Sequence, residues 1–315
     1  VKSERVTQRP SRRIVRPVLL ALLFAAITWL PLAQAHGSAV ISVTTTADVL
    51  DAKAGDCAAM APVDLPGADG VVSLREAICA ANNHPGEDTV SLPGGLYALT
   101  IHGRDEDGSA SGDLDATDDL HLTGAGAAAT IIDGDAADRV LHVDPADTGG
   151  VTVHIEGMTI RNGDAGAAPG GGVFNRGHLM LASSRICSNT VDASAPGSFG
   201  GGGLFSDGTL RLTDSEVHGN AVLGGAGGGL EVAGSATLEG VTVSGNEAVA
   251  DGDGDALGGG IANWGAITLT SSTVVSNTAA DAGGGLYTGN GLGAAAAGVT
   301  GTVFRGNASG SGGGA

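Results

Sequence analysis

Gly201-Gly202-Gly203-Leu204-Phe205-Ser206-Asp207-Gly208-Thr209-Leu210-Arg211-Leu212-Thr213-Asp214-Ser215-Glu216-Val217-His218-Gly219-Asn220 is one copy of a pattern that fills the second half of the chain. Triple glycines begin at Gly170, Gly201, Gly227, Gly258, Gly283 and Gly312. In the first four copies an asparagine follows 19 residues after the first glycine, at Asn189, Asn220, Asn246 and Asn277. In the fifth, Gly283 to Asn307 spans 24 residues and includes a Gly/Ala-rich insertion around 291–298. The gaps from each asparagine to the next triple glycine are 12, 7, 12, 6 and 5 residues. A fixed unit joined by variable gaps predicts one repeated structural layer, with length variation confined to a loop.

Apolar residues fall in columns within the unit. Three places after the first glycine stand Val173, Leu204, Leu230 and Ile261; nine after it, Leu179, Leu210, Ala236 and Ile267. Eleven after it stand Leu181, Leu212, Leu238 and Leu269; sixteen after it, Ile186, Val217, Val243 and Val274. The nine/eleven pair has the two-residue period of a strand with one buried face. The intervening Met180, Arg211, Thr237 and Thr268 face outward on this reading. Glycine and β-branched residues disfavour helical repeats. Short parallel strands in every unit therefore predict an all-β solenoid, with aliphatic ladders inside and amide-to-amide bonds along the asparagine column. Cys187 falls one place after Ile186, in a column that alternation turns outward, predicting a partly exposed thiol.

Composition agrees with thin repeated layers. The 315 residues include 56 glycines and nine aromatic residues, so aromatic bulk does not build the core. Hydrophobic residues make up 42%, which excludes a polar disordered chain. The glycines lack the every-third spacing of collagen.

Lys2, Arg5, Arg9, Arg12, Arg13 and Arg16 precede an apolar run from Val18 to Leu32 that closes with Ala33-Gln34-Ala35. That order predicts a secretory signal peptide over residues 1–35, leaving no transmembrane span after its cleavage. The remainder has nine basic and 33 acidic residues, a formal charge of −24. Such a surface repels phosphate backbones and argues against a nucleic-acid partner. Three cysteines suit an exported protein with one disulfide, and Cys57 and Cys79 flank a 23-residue loop that such a bond would close.

Val72 to Asn82 carries the one helix signal. Ser73 and Glu76 have the spacing of a capping box, and Leu74/Ile78 and Ala77/Ala81 make an apolar stripe. A short helix of this kind, with Ser73, Leu74, Arg75, Glu76, Ala77 and Ile78 at its start, is expected to cap the open end of the solenoid rather than to carry chemistry.

The same segment, Val72-Ser73-Leu74-Arg75-Glu76-Ala77, resembles the motif of the CSLREA-domain family, with valine in place of the leading cysteine. The likeness continues through Pro85-Gly86-Glu87-Asp88-Thr89-Val90, Leu92-Pro93-Gly94-Gly95-Leu96-Tyr97, Gly112-Asp113-Leu114-Asp115 and Thr130-Ile131-Ile132-Asp133-Gly134, covering most of residues 40–162. The later units resemble those of polymorphic outer-membrane proteins and other pectate-lyase-like β-helices; Phe304-Arg305-Gly306-Asn307 matches their F-x-x-N element. The resemblance implies an exported or surface-displayed, right-handed parallel β-helix, and it carries over no catalytic activity. The expected organisation is a signal peptide over 1–35, a cap with the first coils over 36–150, and repetitive coils over 151–315, with further coils following the triple glycine at Gly312.

The acidic stretch 105–119 holds the candidate site residues. Asp107, Ser109, Ser111, Asp113, Asp115 and Asp118 follow a calcium-loop spacing, and Asp251, Asp253 and Asp255 form a second acidic loop. No motif requires a cofactor; calcium is the ion these loops suit. Paired carboxylates among Asp113, Asp115, Asp118, Asp119, Asp133 and Asp135 are the residue type for glycoside hydrolysis, and Arg139 or Arg161 for elimination. The expected function is a non-enzymatic exported β-helix for display, adhesion or contact with polysaccharide or another cell-surface component. The alternative is a polysaccharide lyase or glycoside hydrolase.

Overall fold

The computed structural model describes residues 37–104, 106–195, 199–252, 255–289 and 295–310. Among them are four sheets of nine, seven, eight and five strands, in which the strand pairs are parallel, and one α-helix. In the coil that begins at Gly201, the chain runs through Leu204–Ser206, Thr209–Thr213, Glu216–His218 and Ala221–Leu223. These strands belong in turn to the seven-, nine-, eight- and five-stranded sheets, and Leu230–Val232 then re-enters the seven-stranded sheet one layer on. The architecture is a parallel β-solenoid.

The columns stack in register. Leu204 pairs with Leu230 and Leu230 with Ile261. Leu212 pairs with Leu238, which pairs with Leu269. Ile186, Val217, Val243 and Val274 form the third ladder. All these side chains join one continuous core, at 0–2% exposure. Met180, Arg211 and Thr268 are exposed between them and Thr237 is half-buried, as a period of two requires.

Asn220 shows how the polar ladder closes. Its Nδ2 donates to Asn246 Oδ1 and to the Ile186 carbonyl, both at 3.0 Å. Its Oδ1 accepts from the backbone N–H and the Nδ2 of Asn189, again at 3.0 Å. All four amide valences are used, so a group that is 1% exposed carries no desolvation penalty unrelieved. The series runs from Asn189 through Asn220, Asn246 and Asn277 to Asn307.

The constant glycine-to-asparagine spacing has a contact behind it. Gly201 has φ +72°, the left-handed bend that glycine adopts freely. Gly203, two places on, lies against the Asn220 amide: a Cβ there would be 2.9 Å from that group and 2.6 Å from the Gly229 carbonyl oxygen. The bend and the amide are two sides of one close approach, and the fifth unit keeps it across its insertion: a Cβ on Gly285 would be 2.7 Å from Asn307 Nδ2.

The helix α1, Leu74–Asn82, has Ser73 as its N-cap, as the capping-box spacing predicts. Ser73 Oγ accepts from Glu76 N–H at 3.1 Å and Glu76 Oε2 accepts from Ser73 N–H at 3.0 Å. The helix covers the edge strand Leu114–Ala116 of the seven-stranded sheet. Asn82 satisfies that edge twice, donating to Asp115 O at 2.7 Å and accepting from Thr117 N–H at 2.9 Å. Arg75 and Glu76 are fully buried in this contact. Cys57 and Cys79 are joined by a disulfide that ties α1 to the preceding 3₁₀ turn.

Cys187 departs from the outward expectation: it is a free, buried thiol at 8% exposure. Alternation sets its direction, but Arg161 on the paired strand and the neighbouring Arg185 and Glu216 surround it. Burial raises the pKa of this thiol. Among the described residues no helix is long and apolar enough to cross a membrane.

Candidate functional site: the outer face of the seven-stranded sheet

The middle residue of each strand in the seven-stranded sheet points away from the core. Following the register gives the row Asp115, His142, Phe174, Phe205, Glu231, Ala262, Tyr287. Six steps of about 4.8 Å make this row roughly 29 Å long.

Aromatic residues are scarce in the chain but gathered here. His142 stacks on Phe174 with centroids 4.6 Å apart, and Phe174 meets Phe205 edge-on at 5.4 Å. Phe199 lies over Phe205 at 5.2 Å, and Trp264 meets Tyr287 edge-on at 5.4 Å. Of the described aromatic residues, only Tyr97 and Phe304 lie elsewhere, on strands of the eight-stranded sheet. Phe199 is 54% exposed, Phe174, Trp264 and Tyr287 are half-buried, and Phe205 at 2% forms the floor. Arg139 and Arg176 flank Phe174 at 5.7 and 5.4 Å from its centroid.

At one end of the row, charged groups converge. Asp113 is 1% exposed and takes a 2.5 Å hydrogen bond from Arg139 Nε. Burial raises its carboxyl and the guanidinium opposes that rise. Asp115 is fully buried; its Oδ2 accepts from Ser109 N–H at 2.8 Å. Burial, then the Asp113 charge, push the Asp115 carboxyl up to about 9. His142 Nδ1 lies 3.6 Å from Asp115 Oδ1 and 3.7 Å from Asp107 Oδ1. Burial, then Arg139 and Arg176, lower the imidazole to about 3, so it is neutral.

The loop that carries Asp107 is pinned by the cap. Arg75 donates to the carbonyls of Ser109 and Gly112 at 3.0 and 2.9 Å, and Glu106 Oε2 accepts from Ala110 and Ser111 N–H at 2.7 and 3.1 Å. This arrangement does not close a calcium loop. The Ser109 hydroxyl is spent on the Asp115 backbone, Asp113 is held by Arg139, and Asp118 Oδ1 accepts from Asp119 N–H. Only Asp107 and Asp115 of that series come together, and His142 joins them. Asp251 and Asp255 are exposed, and Asp253 lies outside the described residues.

The other candidate residues separate. Asp119 accepts from Thr152 N–H at 2.7 Å. Asp133 takes Arg161 Nε at 2.8 Å and Asn162 Nδ2 at 2.9 Å; with Asp135 it lines an open depression of about 450 Å³ on another face. The sequence holds a signal for the aromatic row: four places after each first glycine stand Phe174, Phe205, Glu231, Ala262 and Tyr287. His142 has no such marker, because its coil lacks a triple glycine.

The chain matches no family model, no curated protein and no solved structure.

Proposed function

We propose that this protein is an exported, non-catalytic β-solenoid that binds a neutral polysaccharide along the outer face of its seven-stranded sheet. The observation that carries this reading is the concentration of scarce aromatic residues on that one face. Sugar rings present apolar faces that stack on aromatic rings and hydroxyls that bond to carboxyl and amide groups. The strongly acidic composition disfavours polyuronates and nucleic acids as ligands. The basic, apolar and small-residue order of residues 1–35 supports export, and the likeness of residues 72–77 and 85–134 to CSLREA-domain proteins agrees with secretion or surface display.

The enzymatic alternative has one observation in its favour, the raised Asp115 carboxyl beside a lowered His142 imidazole. Against it, the side chains of Asp113, Asp115 and His142 are only 2, 0 and 6% exposed, which leaves a sugar ring no path to them.

Affinity electrophoresis against starch, xylan, soluble chitin oligomers and polygalacturonate tests the proposal. The expected result is retardation by a neutral glycan, weakened about 10- to 100-fold in a Phe199→Ala/Tyr287→Ala variant with unchanged thermal midpoint. Equal binding by that variant contradicts the reading. So does release of reducing ends or unsaturated products that Asp115→Ala abolishes, which would make the protein an enzyme.

A further inference from the structure

Two carboxylates and an imidazole meet at the end of the aromatic row, and one of them has nothing to bind. His142 is 5% exposed, and neither of its ring nitrogens has a hydrogen-bond partner; Asp115 Oδ1, which faces Nδ1, has none either. Buried polar atoms left unpaired are costly, and an unpaired Nδ1 facing an unpaired Oδ1 is unusual for a structure whose asparagine ladder satisfies every valence. Aromatic stacking on Phe174 explains why the ring is held flat, but it gives the nitrogens no partner.

The spacing supplies one. Tetrahedral ligands at the usual zinc distances of about 2.0–2.2 Å lie roughly 3.3–3.6 Å apart. The two separations from His142 Nδ1 are 3.6 and 3.7 Å, and all three ligand atoms fall within 4.8 Å of one another. Small movements of the exposed Asp107 side chain bring the set to coordination distance. We propose that Asp107, Asp115 and His142 form a binding site for a divalent transition-metal ion of zinc type, with water in the fourth position.

The surroundings suit a cation. Glu106, Asp113 and Asp144 add negative charge nearby. The two closest cations are engaged, Arg139 by Asp113 and Arg176 by Asp147 and Asp207. Asp107, its side chain 69% exposed, forms the entrance. An imidazole donor and only two carboxylates distinguish this set from the all-oxygen cages that hold calcium. The second shell is built by the cap: Ser109 N–H holds Asp115 Oδ2, and Arg75 holds the Ser109 carbonyl. The site is independent of glycan binding, and either proposal stands if the other fails.

Calorimetric titration of the chelator-treated full chain with zinc chloride tests the site. The expected result is one zinc per chain, retained in a roughly 1000-fold excess of calcium. Affinity falls at least about 100-fold in His142→Ala and about 10-fold in Asp107→Asn, and is unchanged in His178→Ala. Cobalt added instead of zinc gives the visible bands of a four-coordinate ion in the wild type and loses them in His142→Ala. Asp107 is exposed, so Asp107→Asn reports on the site even if His142→Ala fails to fold. Absence of saturable zinc binding, displacement by calcium, or equal affinity in Asp107→Asn overturns the proposal.

Discussion

Glu231 is 3% exposed and accepts from Gly200 N–H at 2.5 Å and Trp264 Nε1 at 2.9 Å. Burial outweighs these two donors and raises its carboxyl to about 7. The native state then holds a proton that the unfolded chain releases above about pH 4.3, so this residue lowers stability as pH rises from there to about 7. Relative to Glu231→Gln, which does not titrate, the wild type should lose about 2–3 kcal/mol between pH 5 and pH 8. Urea unfolding of both proteins at the two pH values measures this; parallel changes would contradict it. At this scale the sequence is legible wherever a residue repeats. Asn220 and Gly201 announce their roles through their copies, whereas Glu231 and His142 each occur once in their columns and gain their partners only when coils stack.

Among the elements, α1 shows both how much local sequence determines and where it stops. The capping box of Ser73 and Glu76 is a three-residue relation and is readable directly. The second oxygen of Glu76 is not: Oε1 accepts from Asp51 and Ala52 N–H, at 2.9 and 2.8 Å, some 25 residues away. Arg75 likewise forms a fork with Asp48, at 2.8 and 3.1 Å, while its remaining donors hold the loop that carries Asp107. Both partners of that fork are buried, at 0 and 3% side-chain exposure. Arg75→Ala therefore leaves the buried Asp48 carboxylate without its cation, held by Ile101 N–H at 2.8 Å, and should cost about 3–5 kcal/mol, whereas Arg75→Ala combined with Asp48→Ala should cost less than the single change. Denaturant titration of the two variants decides the point; a single-variant loss below about 1 kcal/mol would remove the fork from the account. The strands are more legible in the sequence than their number. The gaps of 5 to 12 residues after each asparagine hide the short strands of the five-stranded sheet, such as Ala221–Leu223, because three residues carry no measurable period.

For the molecule as a whole, periodicity specifies the scaffold and breaks in periodicity mark the candidate chemistry. Aliphatic columns and the asparagine ladder run along the stack with little variation. The outer row of the seven-stranded sheet instead changes from Asp115 and His142 through Phe174 and Phe205 to Glu231 and Tyr287. Trp264 and Tyr287 cover the small apolar cluster of Ala226, Leu257 and Ala262, but packing gives no reason for Phe199 to stand 54% exposed over Phe205, and ligand contact supplies one. Hydroxyl-radical footprinting of the chain, free and saturated with the neutral glycan that retards it most, tests this most directly. Protection of Phe199, Trp264 and Tyr287 is expected, with the exposed Met180 on the nine-stranded sheet unchanged. Protection of Met180 with Phe199 and Trp264 left reactive would contradict it.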